Sequence, residues 1–516
     1  MALTAFQSKI IADVGISFGD EGKGRVVYEV AEQIMRSAEG SGEVAMVLKV
    51  NGGANSGHTA GGLKHNLLPC GIVDDRIPML ALGAGVVADP RKIWWEIAMT
   101  EINGYQVLPR LRIDERTQVS DLTHRLLDLA WEYYRSEVLK EEFRGTTGRG
   151  ITPAFSDEVN QWQIFYDDFR HGKDLYRKKL FPRIHRAMDT IRYTCKVDEG
   201  SWDRLFDTLT AAELRANKDT IEADRLPISE FDFNQFKGEE PFTLNEEHLL
   251  EVYWKAGTKL VQNIIDVREA VLSGLDHQKH VICEFGQSYW LDKRQGFTPN
   301  LTASHTFTAE LFHSANIPVQ PVHTVGVCKA YDTKVGTHVF LTEIEDGNPL
   351  GELLKKLEYG TSTGRQRMVG WFDAVEKGSA LRYGGYQDMV INKIDALSYS
   401  GDWQGPLKIC TAYADKNGNK YYQVPRNDAL RKQLKPVYKE IPGWNENISK
   451  ITHFDQLPLN AKHYVAWMVK STYDCANYGN RINLPLPNIR FIGVGPDQNQ
   501  IILDVPESET LLKLIA

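Results

Sequence analysis

The chain has no excess of basic residues, no CxxC pair, no long hydrophobic run and no Walker A loop, and each absence removes a class of function. Its 60 lysines and arginines are outnumbered by 68 acidic residues, a net charge of −8, so nothing points to a nucleic-acid surface. Six cysteines (Cys70, Cys195, Cys283, Cys328, Cys410 and Cys475) lie far apart, several within apolar runs. That pattern predicts reduced core thiols in a reducing compartment. The N-terminus lacks the basic-then-apolar pattern of a signal sequence, and Met79–Ala88 is too short and glycine-rich to span a bilayer. The expectation is a soluble, cytoplasmic protein with neither a nucleic-acid nor a membrane partner. No repeat or low-complexity linker marks a boundary, although the length alone would allow roughly two to four domains.

What is present is a dense glycine stretch near the start, Asp13 to Arg25 (DVGISFGDEGKGR). An apolar run over Ile10–Ile16 enters it, and Val26, Val27, Val30, Ala31 and Ile34 follow at helical spacing. Strand, glycine turn, helix is a phosphate-binding arrangement, because small residues let backbone N–H groups approach an anion at a helix start. A Walker A loop would need glycine at Ser17 and a hydroxyl residue at Gly24. Asp20 and Glu21 stand where phosphate would bind, which makes sense only with a cation or a proton transfer. The alternative is a purely structural turn.

A second strand, Val44–Val50, runs into Asn51-Gly52-Gly53-Ala54-Asn55-Ser56-Gly57-His58-Thr59. Glycine and asparagine at this density put a turn at a strand end, where open α/β sheets hold ligands. His58 is either a structural histidine or a donor to a phosphoryl oxygen. Short strands and turns are expected over Leu67–Ile72 and Leu82–Val87. Asp89 and Pro90 open a helix. Helical periodicity covers Leu122–Phe143 and Leu249–Leu272, with a polar, aromatic-rich helical excursion over residues 157–248. Strands are expected at His280–Glu284, Val322–Ala330, Asp388–Ile391, Leu407–Tyr413, Tyr421–Val424 and Ile489–Val494, and a helix near Ala461–Lys470. Strands alternating with helices imply an α/β fold with a mostly parallel central sheet flanked by helices, P-loop-like without the Walker A motif.

Three further stretches carry chemistry. In Asn392-Lys393-Ile394-Asp395, a strand-end carboxylate can accept from both N1–H and the 2-amino group of guanine, which adenine cannot satisfy. Gly360 to Arg367 (GTSTGRQR) offers hydroxyls and guanidinium groups suited to a small dicarboxylate or a phosphate; the alternative is a solvated turn. In Thr146-Thr147-Gly148-Arg149-Gly150, two hydroxyls and backbone N–H groups could hold a nucleotide monophosphate; the alternative is again a solvated turn.

Taken in order, GDEGKG (19–24), GGANSGHT (52–59), LLPCGI (67–72), GTTGRGITPA (145–154), EFGQ (284–287), TSTGRQRMVGW (361–371), NKID (392–395), PGW (442–444) and GVGPD (493–497) resemble the adenylosuccinate synthetase family. The likeness runs from Asp13 to Asp497. It implies one large domain over residues 1–516, a homodimer, magnesium as cofactor, and condensation of IMP with L-aspartate driven by GTP. By the same resemblance the catalytic residues are Asp20, His58 and Lys23, with Asp20 and the Gly57 carbonyl as magnesium ligands. GTP contacts fall on Glu21, Gly22, Lys23, Gly24, Lys393, Asp395, Gly495 and Pro496. IMP contacts fall on Asn55, Thr147, Gln287, Leu291, Thr302 and Arg365, and aspartate contacts on Thr363, Arg365 and Arg367. Departures surround the last two sites. Val159-Asn160-Gln161-Trp162 lacks the basic residue that in the family reaches the partner's nucleotide, with Arg170 the nearest substitute. Gln366 and Met368 interrupt the arginines. His305 and Phe285 replace common asparagine and glycine, and residues 157–283 form a longer segment than usual. A paralogue acting on another 6-oxopurine or amine is therefore the alternative. A GTP-binding protein without ligase activity has no use for His58. The viral relative that uses dGMP usually carries serine at the position of Asp20.

Overall fold

The computed structural model describes residues 5–36, 42–335, 339–358, 366–400, 403–479 and 483–516. Ten strands build the central sheet: β1 (Ile10–Gly15), β2 (Val44–Lys49), β3 (Leu80–Leu82), β4 (Leu111–Asp114), β5 (Ile264–Ile265), β6 (His280–Ser288), β7 (His323–Lys329), β8 (Asp388–Asn392), β9 (Asn488–Gly493) and β10 (Ile501–Ile502). Their order is β5-β4-β3-β2-β6-β1-β7-β8-β9-β10. Every pairing is parallel except β9 with β10. The apolar runs read from sequence are therefore strands buried on both faces. Ile11 points into the same core as Val47, Val325 and Val390, whereas Ile10, Ala12 and Val14 join Met46, Leu48 and Cys283 on the other side. Beyond β7 that second face is covered by a further core containing Cys328, Met389, Ile391 and Ile492.

Helix α1 (Lys23–Met35) buries Val26, Val27, Val30, Ala31 and Ile34 on the first face, as their spacing predicts. Helix α2 (Pro90–Ile102) starts as expected: Asp89 accepts from the amides of Arg91 and Lys92, a cap contributing about 1 kcal/mol. Helix α3 (Leu122–Tyr133) ends sooner than its periodicity suggests, passing through one π turn at Tyr134–Val138 before an irregular stretch. Leu139 and Phe143 are exposed, so their apolar character served no helix face.

After α4 (Ile151–Val159) comes the excursion, with α5 (Lys173–Asp189), α6 (Glu199–Ala216) and α7 (Glu246–Thr258) as its main helices. Its rings Tyr166, Phe169, Trp202, Phe206, Phe231 and Phe233 pack into the same core as α1 and the sheet, as does Tyr253 just after it. The predicted continuous helix Leu249–Leu272 is two helices, α7 and α8 (Val267–Asp276), separated by edge strand β5. Packing at Gly257 and hydrogen bonding at Asn263 account for the break. Gly257 lies flat against Phe169, and the Asn263 amide donates to the carbonyls of Leu108 and Leu111, drawing the chain onto the sheet edge. Asp266 then caps the new helix.

One smaller expectation also changes, since the strand predicted at Tyr421–Val424 shrinks to Lys420–Tyr421. Of the strands and turns expected over Leu67–Ile72, the chain forms a 3-10 turn at Cys70–Val73. The C-terminal part adds α9 (Pro349–Leu357), α10 (Ala374–Gly384) and α11 (Leu459–Asn477), the last longer than predicted at both ends. All six cysteines are buried and unpaired, as expected. Among the described residues no helix is long and apolar enough to cross a membrane.

Candidate active site

The C-terminal ends of β1, β2 and β6 open onto a cleft of about 520 Å³. The loop from β1 to α1 forms one wall. Gly19, Asp20 and Gly22 all have positive φ, which turns the chain sharply enough to aim the start of α1 at the cleft. Gly24 is fixed by close approach, since a Cβ there would stand 2.3 Å from the Thr59 carbonyl oxygen. The two glycine loops therefore touch, and Asp20 and His58 line the same cleft.

Within the first loop the two carboxylates diverge. Glu21 is buried. Its Oε2 lies 2.9 Å from Lys23 Nζ, and its Oε1 accepts from Ser288 Oγ (2.5 Å) and the Gly19 amide (2.8 Å). Burial pushes this carboxyl up, but Lys23, Ser288 and the Gly19 amide overcome it and hold it below the usual range. Glu21 is thus an internal brace for the loop, not a negative charge presented to a phosphate. Asp20 remains on the cleft wall, where Oδ2 meets the guanidinium of Arg367. Behind that pair lies the buried Glu358, 2.6 Å from Lys393 Nζ and 3.3 Å from Lys329 Nζ.

The second loop sets His58 against Glu284 of β6. His58 Nδ1 is 2.5 Å from Glu284 Oε1, while Oε2 accepts from the Cys70 amide at 2.6 Å and Lys49 Nζ lies 3.8 Å away. Burial opposes the charge on Glu284, but Lys49, His58 and the Cys70 amide outweigh it and hold the carboxyl at about 2. Burial lowers the His58 pKa, against the pull of Glu284. With Nδ1 engaged, Nε2 is the ring nitrogen left for the cleft. His58, Cys70 and Glu284 are close enough to hold a metal ion, yet the thiol is pushed well above 9 by burial and by Glu284, and Glu284 already serves two donors. The cluster is an imidazole held by a carboxylate.

The cleft is further lined by Asn55, Thr147, Gln287, Leu291, Thr302 and Arg144, and by Gly57 and Gln366. Asn55 Nδ2 donates to Thr302 Oγ1 (3.3 Å) and Gln287 Nε2 to Ser56 Oγ (2.8 Å), while Gln287 Oε1 is buried with no partner. Lys393, Asp395, Gly495 and Pro496 lie outside this lining; Lys393 is held by Glu358, while Asp395 and Gly495 lie near Arg25. Its Nη2 donates to the carbonyls of Gly495 (2.8 Å) and Asp497, and its charge is felt by Asp395. Asp395 Oδ1 is buried without a partner, an acceptor facing no protein donor.

This geometry matches a known family. A model of the adenylosuccinate synthetase family fits residues 12–502. The chain belongs to the adenylosuccinate synthetase family. It is 31% identical to an adenylosuccinate synthetase of Oceanobacillus iheyensis over 500 residues, covering 94% of this chain and 96% of that one. The enzyme of Acetivibrio thermocellus is 31% identical over 497 residues, covering 95% and 98%. Among solved structures, a fully ligated adenylosuccinate synthetase from Plasmodium falciparum superimposes with a TM-score of 0.77 at 25% identity, over 96% of this chain and 100% of that one. The succinoaminodeoxyadenylate synthetase of cyanophage S-2L, bound to dGMP and dATP, shares the fold alone, with a TM-score of 0.50 at 15% identity over 98% of each chain.

Against the family pattern, the departures acquire places. Phe285 is a core residue and His305 is held by Asp292 at 3.0 Å, so neither enters the cleft lining. Gln366 does enter it. Arg170 is no substitute for a partner-reaching cation, because its guanidinium is spent on the Ile264 carbonyl and on Asp167. Thr363 and Arg365 lie outside the described residues. Sequence reasoning assigned no role to Glu284, Lys49 or Arg25. A lysine and a glutamate inside buried parallel strands were the available signal, since neither is buried there without a partner. For Arg25 there was none.

Proposed function

We propose that the chain is a GTP-dependent ligase that joins L-aspartate to IMP, giving adenylosuccinate, GDP and phosphate in the synthesis of AMP. The observation that carries this reading is that a carboxylate and an imidazole from separate glycine loops, Asp20 and His58, line one cleft together with Lys23. Asp20 takes the N1 proton of the purine, and O6 attacks the γ-phosphorus as its bond to the β–γ bridging oxygen breaks. His58 Nε2 faces the transferring phosphoryl oxygens, with Glu284 favouring its protonated form. The α-amino nitrogen of aspartate then attacks C6, and O6 departs with the phosphate. Lys23 and the amides of Glu21 to Gly24 hold the GTP phosphates at the start of α1, as a helix N-terminus suits.

Magnesium fits the donors present, because Asp20 and the Gly57 carbonyl are hard oxygens of residues that line the same cleft and Asp20 meets Arg367 through Oδ2, leaving Oδ1. Bound there it would neutralise phosphate charge. A single domain and a homodimer complete the reading, the first supported by the core shared between the excursion and the sheet, the second by exposed Val159 and Trp162. Purified protein given GTP, magnesium, IMP and aspartate should release phosphate only when all are present. Release with a different 6-oxopurine or amine, and none with IMP plus aspartate, would hand the site to the paralogue reading.

The orphaned Oδ1 of Asp395 supports its assignment to guanine. Asp395→Ala should reduce the preference for GTP over ATP by roughly 100-fold or more, read as a ratio of kcat/KM values. An unchanged ratio would remove Asp395 from base recognition.

A further inference from the structure

Among the described residues the cleft offers three lysine or arginine side chains, and two of them already face carboxylates. Lys23 is paired with Glu21 and Arg367 with Asp20. The third, Arg144, has no carboxylate among the described residues within ion-pair distance. Its Nη2 donates to the Leu301 carbonyl oxygen at 2.7 Å, one residue before Thr302, whose hydroxyl accepts from Asn55. The guanidinium therefore sits at the end of the cleft lined by Asn55, Thr147, Gln287 and Thr302.

The loop carrying Arg144 is built in advance. Helix α3 holds it at two points, with Glu132 Oε1 accepting from the Gly145 amide (2.9 Å) and Asp128 Oδ2 from the Gly150 amide (3.0 Å). Those two acids are thus occupied by loop amides. Among the described residues that line this end of the cleft, a dianionic monophosphate would meet hydroxyls and amides from Thr147, Thr302, Asn55 and Gln287, and Arg144 as the one positive charge. Nor does the exposed end of α4 offer one to a neighbouring subunit, since Val159-Asn160-Gln161-Trp162 contains no base.

We propose that Arg144 binds the monophosphate of the 6-oxopurine nucleotide, so that each chain supplies this cation to its own site. The inference rests on the nucleotide reading above and adds to it the residue that neutralises the phosphate. A charge-assisted hydrogen bond to phosphate corresponds to roughly 10- to 100-fold in affinity.

The test compares IMP with inosine, which differs only in lacking the phosphate, by calorimetry on wild type, Arg144→Met, Arg144→Gln and Arg144→Lys. Wild type should favour IMP strongly. Arg144→Met and Arg144→Gln should each lose roughly 10- to 100-fold of that preference with inosine binding unchanged, and Arg144→Lys should retain most of it. KM for GTP should stay within about twofold throughout. A preference for IMP unchanged in both neutral variants, or one lost equally for GTP, overturns the assignment. Should Arg144→Met fail to fold, Arg144→Gln and Arg144→Lys decide. A wild-type protein that binds neither IMP nor inosine would refute the function itself, whereas a wild type that prefers IMP with an indifferent Arg144 refutes only this proposal.

Discussion

Asp20→Asn should lower kcat by roughly 100-fold or more while leaving the melting temperature close to that of the wild type, because a positioned proton acceptor contributes about 10²–10⁴-fold. Asparagine is the right probe. Asp20 sits at φ +60°, where asparagine is tolerated and alanine would add a backbone cost of about 1 kcal/mol that confuses the reading. The exchange also removes the charge that Arg367 now faces, so any fall in aspartate or IMP affinity would appear in KM and can be separated from the loss in kcat. A variant keeping more than about a tenth of wild-type kcat would mean that the N1 proton goes elsewhere.

Glu284→Ala should be costly in a different currency, stability. It leaves Lys49 buried beside a vacated position, with its ammonium already lacking a hydrogen-bond partner, and releases both the Cys70 amide and His58 Nδ1. Breaking such a buried pair from one side costs about 3–5 kcal/mol. The carboxyl is held at about 2 in the folded protein against an ordinary 4.5, so its stabilisation is fully present above pH 4.5 and is lost as pH falls through about 2. Urea melts at pH 7 and pH 3 should therefore show a large gap between wild type and variant that narrows at the lower pH. A difference under about 1 kcal/mol at pH 7 would show that Lys49 and His58 do not depend on Glu284. Glu284→Gln, which keeps the shape without the charge, should lose activity through the unsupported imidazole at Nε2.

Much of this was legible beforehand because parallel strands buried on both faces announce themselves as unbroken apolar runs, and glycine clusters mark their ligand-bearing ends. Ile10–Ile16 and the turn after Val50 are of that kind. The helix over Leu249–Leu272 misled for the opposite reason. Its apolar spacing is continuous, and only the long-range contacts of Gly257 with Phe169 and of Asn263 with Leu108 divide it. Site residues carried by motifs, such as Asp20, His58, Asn55 and Thr147, fell on one cleft. What the letters could not convey was which partner each charge meets: Glu21 reads like Asp20, yet one is buried against Lys23 and Ser288 while the other meets Arg367 on the cleft wall. Arg25 likewise looks like any helix-surface cation until the fold brings Gly495 beside it.

The rings of the excursion belong to the same packed interior as the first face of the sheet, and this constrains how the chain can change. Trp95 is wedged against Phe231 and Phe233, so α2 has no dry face without them. Such a segment is no detachable cassette. Trimming it to the length of a shorter homologue would bare tryptophan and leucine to water, and any drift in those rings must be answered by residues hundreds of positions away.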